Sequence, residues 1–311
     1  MINELEILAV LDPFNGYNFR KDTSHLLLLR LAERGHRICY TDPTGLSSRD
    51  AEPAARCRPA KPVPDSPYFI LGEEGSRRLD RFDLILMRKD PPVDAAYLTA
   101  LQLLDRARIP VFNRPASLAR FNEKLSTLLF PDWIPRTVVS ADRDEIERFR
   151  REAGGVAVLK SLDTFGGRGV RKLDRDEPEL VGTLTRQGRL PVLVQEYLPV
   201  ERGEKRIFLI GGEPAGALLR YPPAGSFLTD PDRGGRIAPA TLTPRERQLC
   251  AELAPFLKQN GLWFTGIDVI DGRLTDINIT SPGLVWEWNE VDGVDHSHEI
   301  TERLEKLCAA S

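Results

Sequence analysis

The chain has 311 residues, enough to bury a large core and to divide into two or three packed domains. Its 43 basic and 46 acidic residues leave a formal charge of −3, a balance that excludes the electrostatics of a nucleic-acid or membrane-surface binder. Four cysteines, Cys39, Cys57, Cys250 and Cys308, lie far apart without metal-type spacing, so they read as reduced thiols in a cytoplasmic protein.

The first predicted strand, Glu6 to Leu11, has an acidic residue before it and no long apolar run, so neither a signal peptide nor a membrane span is expected. A loop rich in Asp, Asn and Gly follows, then a helix from about Thr23 to Arg34 whose leucines form an apolar stripe and which Gly35 stops. Ile38–Tyr40 is the next strand, and this β-α-β opening predicts a parallel α/β domain with ligands at the carboxyl ends of its strands. Ser47 to Pro67, rich in Pro, Ala and Arg, reads as an irregular surface excursion. Leu84–Met87 is a buried strand, Tyr97–Arg106 a helix, Pro110–Asn113 a short strand and Asn122–Phe130 a helix. From Pro135 the pattern changes to strands mixed with helices: Thr137–Ser140, a helix near Arg143–Glu152, Ala157–Lys160 and Val192–Gln195. A domain boundary is expected near residues 120–125.

The segment Phe264 to Pro282 reads as a β-hairpin in which Ile267, Val269, Ile277 and Ile279 alternate toward a core. Register then decides the chemistry. A plain two-residue turn at Asp271-Gly272 would set Asp268 opposite Thr275 and away from Asp276. A three-residue loop including Arg273, or a bulge, sets Asp268 opposite Asp276 and gathers both beside Asn278. A few hard oxygen ligands of this kind suit Mg²⁺ completed by water and nucleotide phosphates; an ordinary solvated hairpin face is the alternative. Lys160 ends a strand and is followed by a glycine loop that includes Gly166 and Gly167. Backbone N–H groups of such a loop close on phosphate while the lysine supplies charge, although a simple turn would look the same. Gln195-Glu196-Tyr197-Leu198 after an apolar strand could form an adenine slot. Glu204 could accept ribose hydroxyls and Arg206 could hold a phosphate or acyl phosphate, or both belong to a solvated charge cluster. In the first half, Asp12, Asn15, the Lys21-Asp22-Thr23-Ser24 run and Arg88 to Pro92 follow parallel strands. Arg88 suits a substrate carboxylate, and Asp22 or Asp90 could equally be a cap. His296 and His298 lack a third metal ligand and read as solvated.

Their order along the chain carries more than any one of them. Asp12-Pro13 with Lys21 to Ser24, Ile85 to Pro92 (ILMRKDPP), Asn122 to Leu125, Leu159-Lys160, Gly166-Gly167, Gln195 to Pro199, Gly203 to Arg206, Gly234 to Arg236, Gly266 to Ile270 and Thr275 to Pro282 together resemble the prokaryotic glutathione synthetases of the ATP-grasp superfamily. The resemblance implies an α/β fold: a parallel N-terminal substrate-binding domain over residues 1–122, a central ATP-grasp lid over 123–199 and a C-terminal catalytic ATP-grasp domain over 200–311. It also implies ATP and Mg²⁺, with Mn²⁺ as a substitute, as cofactors. Lys124 and Lys160 would contact the phosphates, Gly166-Gly167 would cover them, Gln195 to Leu198 would hold adenine and Glu204 ribose. Asp268, Asp276 and Asn278 would hold Mg²⁺, with Asp276 in place of the family's longer Glu. Arg206 and Arg220 would be catalytic, and Asp12, Ser24, Arg88, Asp90 and Ser281 would contact substrate. The implied reaction joins the γ-glutamylcysteine carboxylate to the glycine amine through an acyl phosphate, in a homo-oligomer.

Two departures stand out. The loop Tyr221 to Ile237 has Phe227-Leu228-Thr229 where the family carries a polar stretch with an arginine. Gly283 to Trp288 replaces a Thr and an Arg, and its two tryptophans, Trp286 and Trp288, are expected to change how substrate is held. An ATP-grasp ligase with another carboxylate or acceptor, and a nucleotide-binding protein without turnover, are therefore the alternative readings.

Overall fold

A computed structural model describes residues 4–15, 18–164 and 166–309. It contains three sheets. In the first, strand Glu6–Val10 lies parallel between Arg37–Thr41 and Leu84–Met87, with Val111–Phe112 beyond. The helix that crosses back, Thr23–Glu33, starts where the Asp22 carboxylate accepts from the His25 N–H at 2.6 Å, so Asp22 is a helix cap. Ile7 to Val10 and Leu84 to Met87 are fully or almost fully buried on both faces, as parallel strands covered by helices must be.

The expected irregular excursion is instead a strand, Glu52–Pro62. It pairs antiparallel with Arg37–Thr41 and carries Leu46–Arg49, Phe69–Leu71 and Gly75–Arg78 along its length. Its inward side chains are the small Ala55, Cys57 and Ala60, while Arg56 and Arg58 reach Glu74 and the Gly72 carbonyl. A strand built from Ala, Pro and Arg lacks the branched residues that usually reveal one. The expected Asn122–Phe130 helix shrinks to a short 3₁₀ turn, Leu125–Leu129. The Asn122 side chain accepts from the Lys124 and Leu125 N–H groups, a local turn that competes with helix.

The second sheet is antiparallel, in the order Val170–Leu173, Ala157–Ser161, Val192–Glu196, Thr137–Ser140. Helices Arg143–Glu152 and Pro178–Leu184 pack on it through Ile146 and Val181, giving a core of its own with Leu159 and Val194. The third is antiparallel, in the order Arg236–Ala240, Glu213–Tyr221, Glu204–Ile210, Phe264–Ile270, Arg273–Asn278. Both its faces are covered: Ile207 and Leu209 meet the helix Pro244–Gln259 side, and Phe208 and Ile210 meet the C-terminal helices Val285–Asp292 and Ser297–Ala309. Among the described residues no helix is long and apolar enough to cross a membrane.

Candidate active site

The site begins with the hairpin register. The turn at Asp271-Gly272 has two residues, both at positive φ (49° and 71°), the conformation that matches strand twist in a tight hairpin. A bulge between the Asp268 and Val269 pairings then absorbs Thr275. As a result Asp268 faces Asp276, Gly266 faces Asn278, and Ile267 faces Ile277. Of the two devices that would give this register, the chain uses the bulge. Ile267, Val269, Leu274 and Ile277 are buried in one core, and the three oxygen-bearing side chains share the other face.

Neighbouring strands bring cations to them. Arg206 lies directly across from Asp268, and Arg220 across from Glu204. Arg206 donates to Asp268 twice, at 2.6 and 3.0 Å, and Arg220 at 2.8 Å. Gly266 makes room for this: a Cβ there would lie 2.9 Å from Arg206 Cδ. Asn278 adds a fourth bond to Asp268 at 3.1 Å. Burial alone would raise the Asp268 pKa, but the two guanidiniums and the Asn278 amide hold its carboxyl well below the usual range. Arg220 also donates to Glu204 at 2.9 Å, which in turn accepts from the Thr229 hydroxyl. From the second sheet Lys160 reaches Asp276 at 2.6 Å and the Thr275 carbonyl at 2.9 Å. Lys124 donates to the Thr164 carbonyl at 2.7 Å.

These groups line a cleft of about 370 Å³ between the second and third sheets. Gly166 and Gly167 form its roof, both at positive φ (57° and 67°), and a Cβ on Gly167 would meet Leu228 at 3.6 Å. Gln195 to Leu198 form one wall. Gln195 is buried and bonds Thr137, Glu196 accepts from the Arg136 N–H, and the Tyr197 hydroxyl donates to Glu201. Burial, reinforced by Glu201, pushes the Tyr197 phenol up to about 12, so it stays neutral. Asp90 and Ser281 line the opposite end, where the Ser281 hydroxyl donates to Asp90.

Three expected substrate residues are not on the cleft surface. Asp12 accepts from the Asp90 N–H at 2.7 Å and pairs with Lys89. Ser24 accepts from Arg88, which also donates to the Pro282 carbonyl at 3.0 Å. They stand behind the cleft and brace Asp90 and Pro282. Trp288 corrects an expectation: it is 1% exposed and stacked between Phe208 and His296, with ring centroids 4.7 and 3.6 Å away. It belongs to the core, and of the replaced segment only Gly283 and Leu284 reach the cleft. His296 is half-buried, stacked on Trp288 and bonded to Asp292. Sequence reasoning missed Glu123, Thr164 and Thr229. Each lay in a segment the sequence singled out, Glu123 between Asn122 and Lys124, Thr164 beside the glycine loop and Thr229 in the altered loop, but none was given a role.

The donor set fits a hard divalent ion. Asp276 and Asn278 each keep one side-chain oxygen without a protein partner among the described residues. Asp268, whose four lone-pair sites are all engaged, can join only by releasing one of its donors, Arg206, Arg220 or Asn278.

Two sheets closing on a nucleotide-sized cleft, roofed by a glycine loop, define the ATP-grasp class. Solved structures agree on the fold. The D-cycloserine synthetase DcsG superposes with a TM-score of 0.68 at 16% identity, covering 97% of this chain and 99% of that one. The ATP-grasp ligase PsnB, solved with a minimal precursor, Mg and ADP, gives 0.61 at 17%, covering 98% of each. Family models sharpen this: residues 5–119 match the prokaryotic glutathione synthetase N-terminal domain and 123–293 its ATP-grasp domain. The glutathione synthetase of Thermosynechococcus vestitus is 40% identical over 95% of this chain and 98% of its own length. The chain belongs to the prokaryotic glutathione synthetase family.

Proposed function

We infer that this protein is an ATP-dependent carboxylate-amine ligase that makes glutathione: ATP phosphorylates the γ-glutamylcysteine carboxylate, and the glycine amine displaces phosphate from the acyl phosphate. The observation that carries the reading is the joint presence, in one cleft, of Lys124, Lys160, Arg206 and Arg220 with Asp268, Asp276 and Asn278. The relatives' common name supports the same substrates and does not favour the two alternative readings.

Phosphoryl transfer asks for positioning and charge neutralisation more than for acid-base chemistry. Among the described residues Lys124 makes one protein bond, which leaves two N–H donors for phosphate oxygens, and Lys160 makes two, which leaves one. We assign Gln195 to Leu198 to adenine, Glu204 to ribose and the Gly166-Gly167 loop to the phosphates. Arg206 and Arg220 turn from Asp268 to the transferred phosphoryl group. Asp268, Asp276 and Asn278 would hold Mg²⁺, which would offset the charge of the phosphates. Asp90 and Ser281 meet the dipeptide, with Asp12, Ser24 and Arg88 behind them. The residues divide as a substrate-binding unit at 1–122, a lid at 123–199 and a catalytic unit at 200–311. A cytoplasmic location and a homo-oligomer complete the reading; light scattering after size exclusion tests the latter, and replacement of Mg²⁺ by Mn²⁺ in the assay tests the metal.

ADP release across a panel of carboxylates and amines is the decisive experiment. ADP formed with γ-glutamylcysteine plus glycine supports the reading. Release only with another pair, or with none, overturns it in favour of a different ligase or a protein without turnover.

A further inference from the structure

Three consecutive residues at the foot of the cleft tie down two segments, the loop after Ser161 and the end of the hairpin. Asn122 donates to the Leu162 carbonyl at 2.7 Å, at the end of a second-sheet strand. Lys124 donates to the Thr164 carbonyl in the glycine loop. Between them, Glu123 Oε1 accepts from the Ile279 N–H at 2.8 Å, the Thr280 N–H at 3.0 Å and the Thr280 hydroxyl at 2.9 Å. The Glu123 carbonyl accepts from the Ile277 N–H at 3.0 Å.

The need for such an acceptor follows from the hairpin. Its second strand ends at Asn278, so the next two N–H groups have no ladder partner. Ile279 and Thr280 are only 1% and 5% exposed, and a buried N–H without an acceptor is left to bear its desolvation penalty. A carboxylate oxygen meets both, with the added strength of a charged acceptor. The two clamped residues sit between Asn278, which bonds Asp268, and Ser281, which bonds Asp90. The metal end and the substrate end of the cleft are thus joined by the dipeptide that Glu123 holds.

We propose that Glu123 is a positioning residue of the ligase reaction: its Oε1 clamp on Ile279 and Thr280 sets Asn278 toward the metal and Ser281 toward the carboxylate substrate. The proposal rests on the assignment of Asn278 to Mg²⁺. The competing role is direct participation of Glu123 Oε2, which makes no protein bond among the described residues.

Glu123→Gln and Glu123→Ala separate the two roles, because Gln keeps the Oε1 acceptor and loses the anionic Oε2. In steady-state assays with γ-glutamylcysteine, glycine and ATP, Glu123→Ala should lower kcat by about 10-fold or more, and calorimetric Mg²⁺ titration in the presence of ADP should show the half-saturating Mg²⁺ concentration raised by about 10-fold, as loss of a support behind a metal ligand does. The KM for ATP should change little, and Glu123→Gln should restore kcat to within about 3-fold of the parent. Thr280→Val, which removes one of the three bonds, should shift the Mg²⁺ requirement the same way to a smaller extent, and it serves if Glu123→Ala does not fold. A Glu123→Gln variant as impaired as Glu123→Ala overturns the proposal, as does an unchanged Mg²⁺ requirement in Glu123→Ala. Asn278→Ala is measured beside them. If it leaves the Mg²⁺ requirement unchanged, the metal assignment falls and takes the proposal with it; if it shifts that requirement while Glu123→Ala does not, the proposal alone falls.

Discussion

Asp268 is a buried carboxylate accepting bonds from Arg206, Arg220 and Asn278. Removing its charge leaves Arg206 buried without its carboxylate and Arg220 with Glu204 alone, a change that typically costs about 3–5 kcal/mol. Asp268→Asn should therefore lower the free energy of unfolding by about that much at pH 7, read by urea titration. Because the folded pKa is depressed, the wild-type advantage is present above the ordinary Asp range and lost as pH falls through and below it. The gap between variant and parent should narrow accordingly in acid. His25 supplies a second pH effect. Its Nε2 meets the Val63 and Tyr68 carbonyls at 2.9 and 3.1 Å, and its Nδ1 is buried without a partner among the described residues. Burial lowers its pKa despite those carbonyls, so the unfolded chain takes up the proton first as pH falls below about 6.5. Stability present above that value should decline below it, and His25→Gln should show a smaller decline between pH 7 and pH 5.

At the level of elements, the hairpin was legible because Ile267, Val269, Ile277 and Ile279 alternate, and because Asp271-Gly272 announces a turn. The choice between bulge and longer loop was not, since both satisfy the same pattern. The strand Glu52–Pro62 was hidden by its small, proline-containing sequence. Trp288 looked like a site residue because it lies six residues past Pro282; what places it in the core is Gly216, 72 residues earlier, where a Cβ would lie 2.1 Å from the indole. Gly216→Ala should cost about 1–3 kcal/mol through overpacking, read as a lowered urea midpoint. In the Tyr221 to Ile237 segment, Thr229 holds a Glu204 oxygen where ribose is assigned to bind. Thr229→Val removes that competitor and should tighten ADP binding by about 5-fold, the worth of one net hydrogen bond, measured by calorimetry.

Across the whole molecule, the second sheet keeps a hydrophobic cluster of its own, and named ties from it to the third sheet and to residues 122–124 are polar: Lys160 with Asp276, Asn122 with Leu162, Lys124 with Thr164. Polar ties are exchangeable for ligand contacts at little net cost, which suits a sheet that must close on a nucleotide. Mg-ADP at about 100 times its dissociation constant should stabilise the protein by about 2.7 kcal/mol, and hydrogen exchange should slow most in Ala157–Ser161 and Val192–Glu196. The motif order along the chain revealed the cleft, but not the ion pairs inside it. Arg206 and Arg220 reach Asp268 across 62 and 48 residues, and only the strand order brings them together.

The Thr275 bulge also bears on how this hairpin can change over evolutionary time. Side chains alternate by residue, so a single insertion or deletion between Asp268 and Asp276 would exchange the ligand face for the oily one. A one-residue gain at the turn is neutral only when the kink at Thr275 is lost in the same lineage. Length variants of this ribbon should therefore arise as compensated pairs, and homologous hairpins with a longer turn should run straight where this one bends.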